Sequence, residues 1–368
     1  MNKNELMIGL ALSGGGMRAA VYHLGVLKYL AEQHLLGSVA HISTVSGASI
    51  CMGLIYGCND NTWPDDKTFL KKVLPKVKMY ITEKDIQWTA LFRLIVSPYY
   101  WDKKVNLLGN VMEKRWHIQG CLHSIASHPL WTINTTCFET GKDFRISSVK
   151  MGQTDGAHVK NPHIRISHAM AASAGFPVLI GPYKLKTKDY TWCDKTGTIT
   201  IKPRDEILHL WDGGVYDNMG LDPLFRMRGE DSLIRPVNYL IVSNASTGIS
   251  HKTRTMSFSI SNLKRLLDIN MNQVNTLRST SIKDMFREQH NGVYLDIGTR
   301  VVDIVKRSKL SDEESKRIVQ SALSDEQVNF VKDYKTSLER VPVKDFDCIL
   351  KHGYETAACT FHCLGHFV

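Results

Sequence analysis

The sequence predicts an α/β fold, a parallel-rich central sheet sandwiched by helices, and three observations predict it. The first 57 residues alternate two short apolar strands with two segments of helical spacing, a βαβα opening. Further buried strands recur late in the chain, in "RPVNYLIVSNAS" and "NGVYLDIG". With 43% hydrophobic and 22% charged residues over 368 positions, the composition is that of an ordinary globular chain with a real core.

Taken in order, "NELMIGLALSGGG" is a buried strand running into a glycine turn, and "MRAAVYHLGVLKYLAEQHLLG" is a helix closed by glycine. "SVAHISTV" supplies a second strand and "SGASICMGLIYG" a second helix of small residues. From about residue 60 to 130 the pattern becomes helical, rich in lysine and tryptophan, and is expected to form an insertion or cap. "LWTINTTCFETGKDFRISS" returns to strand patterning about a Thr-Gly-Lys turn, and "NPHIRISHAMAASAGFPVLIGPYKL" reads as a short helix ended by Pro177. "ILHLWDGGVYDNMG" is a strand running into glycines, and the stretches 257–288 and 311–337 are expected to be helical. Without an internal repeat or a low-complexity linker, residues 1–368 are expected to form one domain, with a helical extension over about 300–368.

The 46 basic and 36 acidic residues give a formal charge of +10, which favours an anionic partner such as a phospholipid surface or a nucleic acid and equally fits an ordinary solvated basic surface. The N-terminus lacks a signal-peptide core, so a cytoplasmic protein is expected. The most apolar run, "TALFRLIVSPYYW", falls short of the roughly 20 residues a membrane span needs, so membrane contact is expected to be peripheral. Eight irregularly spaced cysteines suit reduced, packed thiols. Cys359, His362, Cys363 and His366 would share one face of a C-terminal helix, but four ligands on one straight helix do not wrap a zinc ion, and a packed helix is expected there.

Three glycine-marked turns carry the chemistry. "SGGGMR", residues 13–18, turns backbone N–H groups toward an anion at a helix start, as an oxyanion hole would, and it equally suits a structural turn. It has neither the Lys-Ser/Thr of a P-loop nor a G-x-G-x-x-G fingerprint. Ser46 stands between a β-branched strand end and a helix, with the Gly47 N–H beside it; both a nucleophile and an N-cap fit that position. Asp212, at the end of an apolar strand before two glycines, is the candidate base, and an Asx turn is its structural alternative. Burial beside Trp211 would raise its pKa. Asp217 is the neighbouring carboxylate, and Asn218 and Gly220 suggest that it shapes the next turn. His23, His41 and His168 lie in settings that suit packing better than base catalysis.

In this order, the glycine loop, the serine elbow and Asp-Gly-Gly give the chain a resemblance to the patatin-like phospholipases over roughly residues 6–245. "MAASAGFP" and "DGGVYDNMGLDP" are similar to that family's segments before and around its aspartate. The resemblance implies a Ser-Asp dyad of Ser46 and Asp212, an oxyanion loop of Gly14, Gly15, Gly16 and Arg18 assisted by Gly47, and no metal or cofactor. It implies hydrolysis of fatty-acyl esters in membrane phospholipids or lysophospholipids. In the 67–104 region, Lys71, Lys72, Lys76 and Lys78 would meet headgroups while Trp88, Phe92, Tyr99, Tyr100 and Trp101 sit at the interface; an ordinary helical cap is the alternative. Some bacterial members similar to this chain are antiviral effectors assembled by nucleotide messengers. The implied partners are therefore the inner face of the membrane, a nucleotide activator and further copies of the chain, and not a nucleic-acid polymer.

The chain departs from the family pattern at Ala19 in the loop and at Thr44 and Ala48 in the elbow, where glycines are usual. The competing expectation is a catalytically inactive nucleotide- or phosphate-binding module that uses "SGGGMR" as its cradle.

Overall fold

The structure, a computed structural model, describes residues 5–176, 180–226, 232–248, 260–308 and 310–364. Its strands in chain order are β1 (Ile8–Leu12), β2 (Val39–Val45), β3 (Leu130–Cys137), β4 (Asp143–Ile146), β5 (Lys150–Gly152), β6 (His158–Lys160) and β7 (Tyr183–Lys186). They continue with β8 (Trp192–Cys193), β9 (Thr200–Ile201), β10 (Ile207–Asp212), β11 (Phe225–Arg226), β12 (Ser232–Leu233), β13 (Tyr239–Asn244) and β14 (Gly292–Asp296). The central five run parallel in the order β14-β13-β1-β2-β3. Past β3 the sheet becomes an antiparallel ribbon of short strands, β4, β5, β6, β8 and β9.

Side-chain alternation sorts each central strand between two cores, because successive residues of a strand point to opposite faces. Ile8, Leu10 and Leu12 of β1, with Tyr239 and Ile241 of β13, join the larger cluster with helices α1 (Gly16–Glu32) and α2 (Gly47–Cys58). Ala11, Leu240 and Val242 face the other way, against Ile282, Met285 and Phe286 of the helix Ile260–Gln289. Helices therefore cover both faces, and β1, β2 and β13 are buried at every residue.

The C-terminal helix Val343–Leu364 belongs to this core rather than hanging from it. Phe346, Ile349, Ala357 and Phe361 are in the larger cluster. Its backbone meets α1 so closely that a Cβ at Gly353 would lie 2.1 Å from the Tyr22 carbonyl oxygen.

Several expectations are adjusted in detail. The insertion consists of a helix through Asp66–Glu83, widened over Phe69–Val73, then Ile86–Val96 and Lys104–Trp116. The stretch 311–337 breaks into Asp312–Ser321 and Asp325–Asp333, because Ser324 and Gln327 form a reciprocal capping box that starts a new helix. The helix before the aspartate is Ile166–Ser173, and its far end became β7; Pro177 and residues 257–259 lie outside the described residues. At the C-terminus the Cys359 and Cys363 sulfurs are 3.7 Å apart, His362 pairs with Glu314 at 2.9 Å, and His366 lies outside the described residues. Among the described residues no cluster of His, Cys, Asp or Glu is arranged to hold a metal ion, and no helix is long and apolar enough to cross a membrane.

Candidate active site

The strand β3 brings the two candidate residues together. Over its first half one edge pairs in parallel with β2, where Val45 is in register with Asn134. The same edge then pairs antiparallel with β10, where Asp212 is in register with Thr135, the next residue. Two strands of opposite direction thus end head-on at one point, with Ser46 following one and Asp212 closing the other.

Ser46 occupies a strained backbone position, φ 52° and ψ −115°, which β-carbon residues rarely adopt. Such a turn lifts the side chain out of the strand. All of residues 39–56 are buried except Ser46, which is half-exposed. Its hydroxyl makes no capping bond to α2. It stands instead close enough to the Asp212 carboxylate to hold that group's pKa down.

Asp212 is 5% exposed. Desolvation pushes its pKa up to about 6, against the opposing pull of a hydrogen bond from the Gly214 N–H and of the nearby Ser46 hydroxyl. The Gly214 bond, 2.7 Å to Oδ1, is an Asx turn, so the structural role and the chemical one coexist: the turn orients the carboxylate toward the serine. The Asp212 backbone is fixed as well, its N–H bonded to the Gly175 carbonyl at 3.0 Å and its carbonyl receiving the Thr136 hydroxyl at 3.0 Å.

The glycine loop packs against the elbow. A Cβ at Gly47 would lie 2.0 Å from the Gly16 carbonyl oxygen, so only glycine permits the approach of loop and helix start. A Cβ at Gly14 would meet the Ser46 Cβ at 3.2 Å. Within the loop the N–H groups divide. That of Gly14 donates to the Asn218 carbonyl at 3.0 Å and that of Met17 to the Ser337 carbonyl at 3.0 Å. Those of Gly15, Gly16 and Gly47 have no acceptor among the described residues. N–H groups without acceptors at two helix starts are the kind of donors that can hold an anion.

Arg18 does not face the serine. Its guanidinium, 3% exposed, donates to the carbonyls of Tyr334 at 2.5 Å, Ala245 at 3.2 Å and Lys332 at 3.3 Å, bracing the loop against the chain beyond residue 330. Burial lowers its pKa to about 10 despite nearby Asp333. Asp217 is also buried, accepting from the Met219 and Asp222 N–H groups and pairing with Arg278 at 3.3 Å, so it shapes the turn after Asp212. Burial raises its pKa and Arg278 opposes the rise.

The histidines have other partners. His23 lies under the loop, bonded to Ser243 and to the Ser13 carbonyl, and burial lowers its pKa to about 4. His41 bonds Thr132, and His168 sits between Tyr183 and Asn110.

Sequence reasoning missed the support beneath the elbow. The Trp131 indole donates to the Thr44 hydroxyl, which meets Ser49, which meets Ser173, each step 2.9 Å. Ser173 accepts the Ser46 N–H at 2.9 Å and donates to the Asn134 carbonyl at 2.7 Å. Thr44, in place of a glycine, is therefore a member of the network that holds the strained turn. Ala48 is fully buried. The signal available for Ser173 was its place in the small-residue segment "MAASAG".

The family model for patatin-like phospholipases matches residues 10–225. The chain is 27% identical over 195 residues to the triacylglycerol lipase SDP1L of Arabidopsis thaliana, an alignment covering 50% of this chain and 21% of the lipase. Its fold is similar to that of human GIVD cytosolic phospholipase A2, with a TM-score of 0.57 at 15% identity over 99% of this chain and 60% of that one. A second structure of that enzyme, in complex with methyl gamma-linolenyl fluorophosphonate, gives a TM-score of 0.50 at 13% identity over 100% of this chain and 60% of that one. The chain thus spans about a fifth of the plant lipase and three fifths of the human enzyme.

Proposed function

Because this chain belongs to the patatin-like phospholipase family, we propose that it hydrolyses fatty-acyl esters of membrane phospholipids or lysophospholipids through Ser46 and Asp212. One observation above all supports this reading: the partly exposed Ser46 hydroxyl stands beside a buried carboxylate whose pKa it lowers, next to three N–H groups with no acceptor among the described residues.

In this mechanism Asp212 takes the hydroxyl proton as Ser46 Oγ attacks the acyl carbonyl carbon. The carbonyl oxygen gains the electron pair and is held by the N–H groups of Gly15, Gly16 and Gly47, each worth about 3 to 4 kcal/mol of transition-state stabilisation. Collapse of the tetrahedral intermediate expels the alcohol, which receives the proton from Asp212. Water, deprotonated by Asp212, then attacks the acyl-serine, and the fatty acid leaves as Ser46 Oγ takes the proton back from Asp212. A carboxyl of pKa about 6 suits both roles, mostly ionised at pH 7 yet able to return a proton. Arg18 acts in this scheme through the loop it braces.

The wider proposal is an antiviral effector at the cytoplasmic face of the membrane, which a nucleotide messenger activates by assembling copies of the chain. It rests on the family resemblance, and comparing lipid hydrolysis with and without such messengers tests it. The acyl-hydrolase reading itself is tested by fatty-acid release from liposomes. Release is expected from the wild type and not from Ser46→Ala or Asp212→Ala. Equal release by all three proteins would overturn it.

A further inference from the structure

Two unpartnered apolar surfaces stand on either side of the candidate site. On the first, the helix Ile86–Val96 and the turn after it expose Trp88, Phe92, Ile95, Tyr99 and Trp101, each to between 59 and 69%. Trp88, Phe92, Tyr99 and Trp101 belong to the expected interfacial group, and Tyr100, the fifth of that group, is half-buried against the core. On the second, the helix Ile260–Gln289 exposes Leu263, Leu266, Ile269, Val274 and Leu277.

Both surfaces lead to Asp212. The first continues into the helix Lys104–Trp116, whose Val105 methyls reach Gly175: a Cβ there would stand 3.2 Å from Val105. Gly175 is the residue whose carbonyl holds the Asp212 N–H. The second carries Met271, whose terminal methyl would be 3.1 Å from a Cβ at Gly214, the residue whose N–H holds the Asp212 carboxylate. About two turns earlier on the same helix, Lys264 lies over the Phe176 ring.

The charges of this rim favour an anionic partner. No acidic residue occurs from Ile86 to Trp101. The flanking acids are engaged by the protein, Asp85 by the Trp88 and Arg340 N–H groups and Asp102 by Lys184. Asp268 is paired with Lys264. Arg93, Lys104 and Arg265 have no acidic partner among the described residues. Lys78, expected to meet headgroups, is instead bound to Asp347.

From this juxtaposition we propose that the two apolar surfaces form a single docking rim for an anionic phospholipid bilayer, seating the mouth of the site on the membrane. Exposed Trp and Tyr rings with adjacent cations and no free acid match the headgroup boundary, where an apolar body and a polar tip are both satisfied. The identification of the partner as lipid rests on the acyl-hydrolase reading, because such an enzyme must draw its ester from a bilayer.

The test measures binding of Ser46→Ala protein to phosphatidylglycerol/phosphatidylethanolamine vesicles by co-sedimentation, so that loss of hydrolysis and loss of docking are read separately. Phe92→Ser/Ile95→Ser and Leu263→Ser/Leu266→Ser are each expected to weaken binding about tenfold or more, with melting temperatures close to the parent's. In the unsubstituted rim, vesicles brominated in their acyl chains are expected to quench tryptophan fluorescence, a readout that needs no variant to fold. Unquenched fluorescence, unchanged vesicle affinity in both double variants, or a dimer that those substitutions dissociate without altering vesicle binding would overturn the proposal.

Discussion

Ser46 and Asp212 meet because they sit at adjacent registers of one strand, Val45 opposite Asn134 and Asp212 opposite Thr135, approached from opposite directions. The Asx turn to Gly214 and the backbone bond to Gly175 fix the carboxylate, and the Ser173 hydroxyl fixes the serine backbone.

In the proposed mechanism the burial of Asp212 sets the pH dependence of catalysis. With the ionised carboxylate as the proposed base, kcat/KM for a soluble ester is expected to rise through an apparent pKa of about 6 and level off above it. A pH-rate profile checks this, and an acidic limb near 4 would mean that the base is a solvated carboxylate.

The same shift predicts a stability cost. A folded-state pKa raised from 3.8 to about 6 means that stability is fully present below pH 3.8 and is lost as pH rises through 6, by about 3 kcal/mol. Asp212→Asn retains the acceptor for Gly214 and removes the buried charge. It is expected to be inactive yet to melt higher than wild type at pH 8, with the difference closing by pH 4.

Much of the site was legible because each of its parts is announced by glycine. The loop, the elbow and Asp-Gly-Gly are local turns that no bulkier residue would permit. Strand direction was less legible, since a period of two reads the same in both senses; hence β10 emerged antiparallel and the short ribbon β4–β9 was not foreseen. The partners of Arg18 were beyond reach for another reason. They are backbone carbonyls of Ala245, Lys332 and Tyr334, which carry no side-chain signature and are brought close by tertiary packing.

Gly47 joins loop to elbow, and its replacement is expected to separate them. In Gly47→Ala the new methyl meets the Gly16 carbonyl at 2.0 Å, a backbone atom that has no rotamer to escape into. The expected result is a loss of about 1 to 3 kcal/mol in stability by denaturant titration and at least a hundredfold drop in kcat.

Thr44 is expected to be needed where its relatives use glycine. Thr44→Val keeps the volume but leaves the Trp131 indole N–H without its acceptor and breaks the hydroxyl chain to Ser173. A destabilisation of about 1 to 3 kcal/mol is expected, with a fall in kcat larger than any change in KM. Wild-type kinetics in this variant would mean that the strained turn at Ser46 is held by the sheet alone.

The central claim is that Ser46 is a nucleophile, and reaction with a fluorophosphonate probe followed by peptide mapping tests it most directly. One modified residue is expected, Ser46, with labelling lost in Ser46→Ala and slowed at least a hundredfold in Asp212→Asn. A protein that stays unlabelled while a control serine hydrolase reacts, or that is labelled equally well in Ser46→Ala, would contradict it.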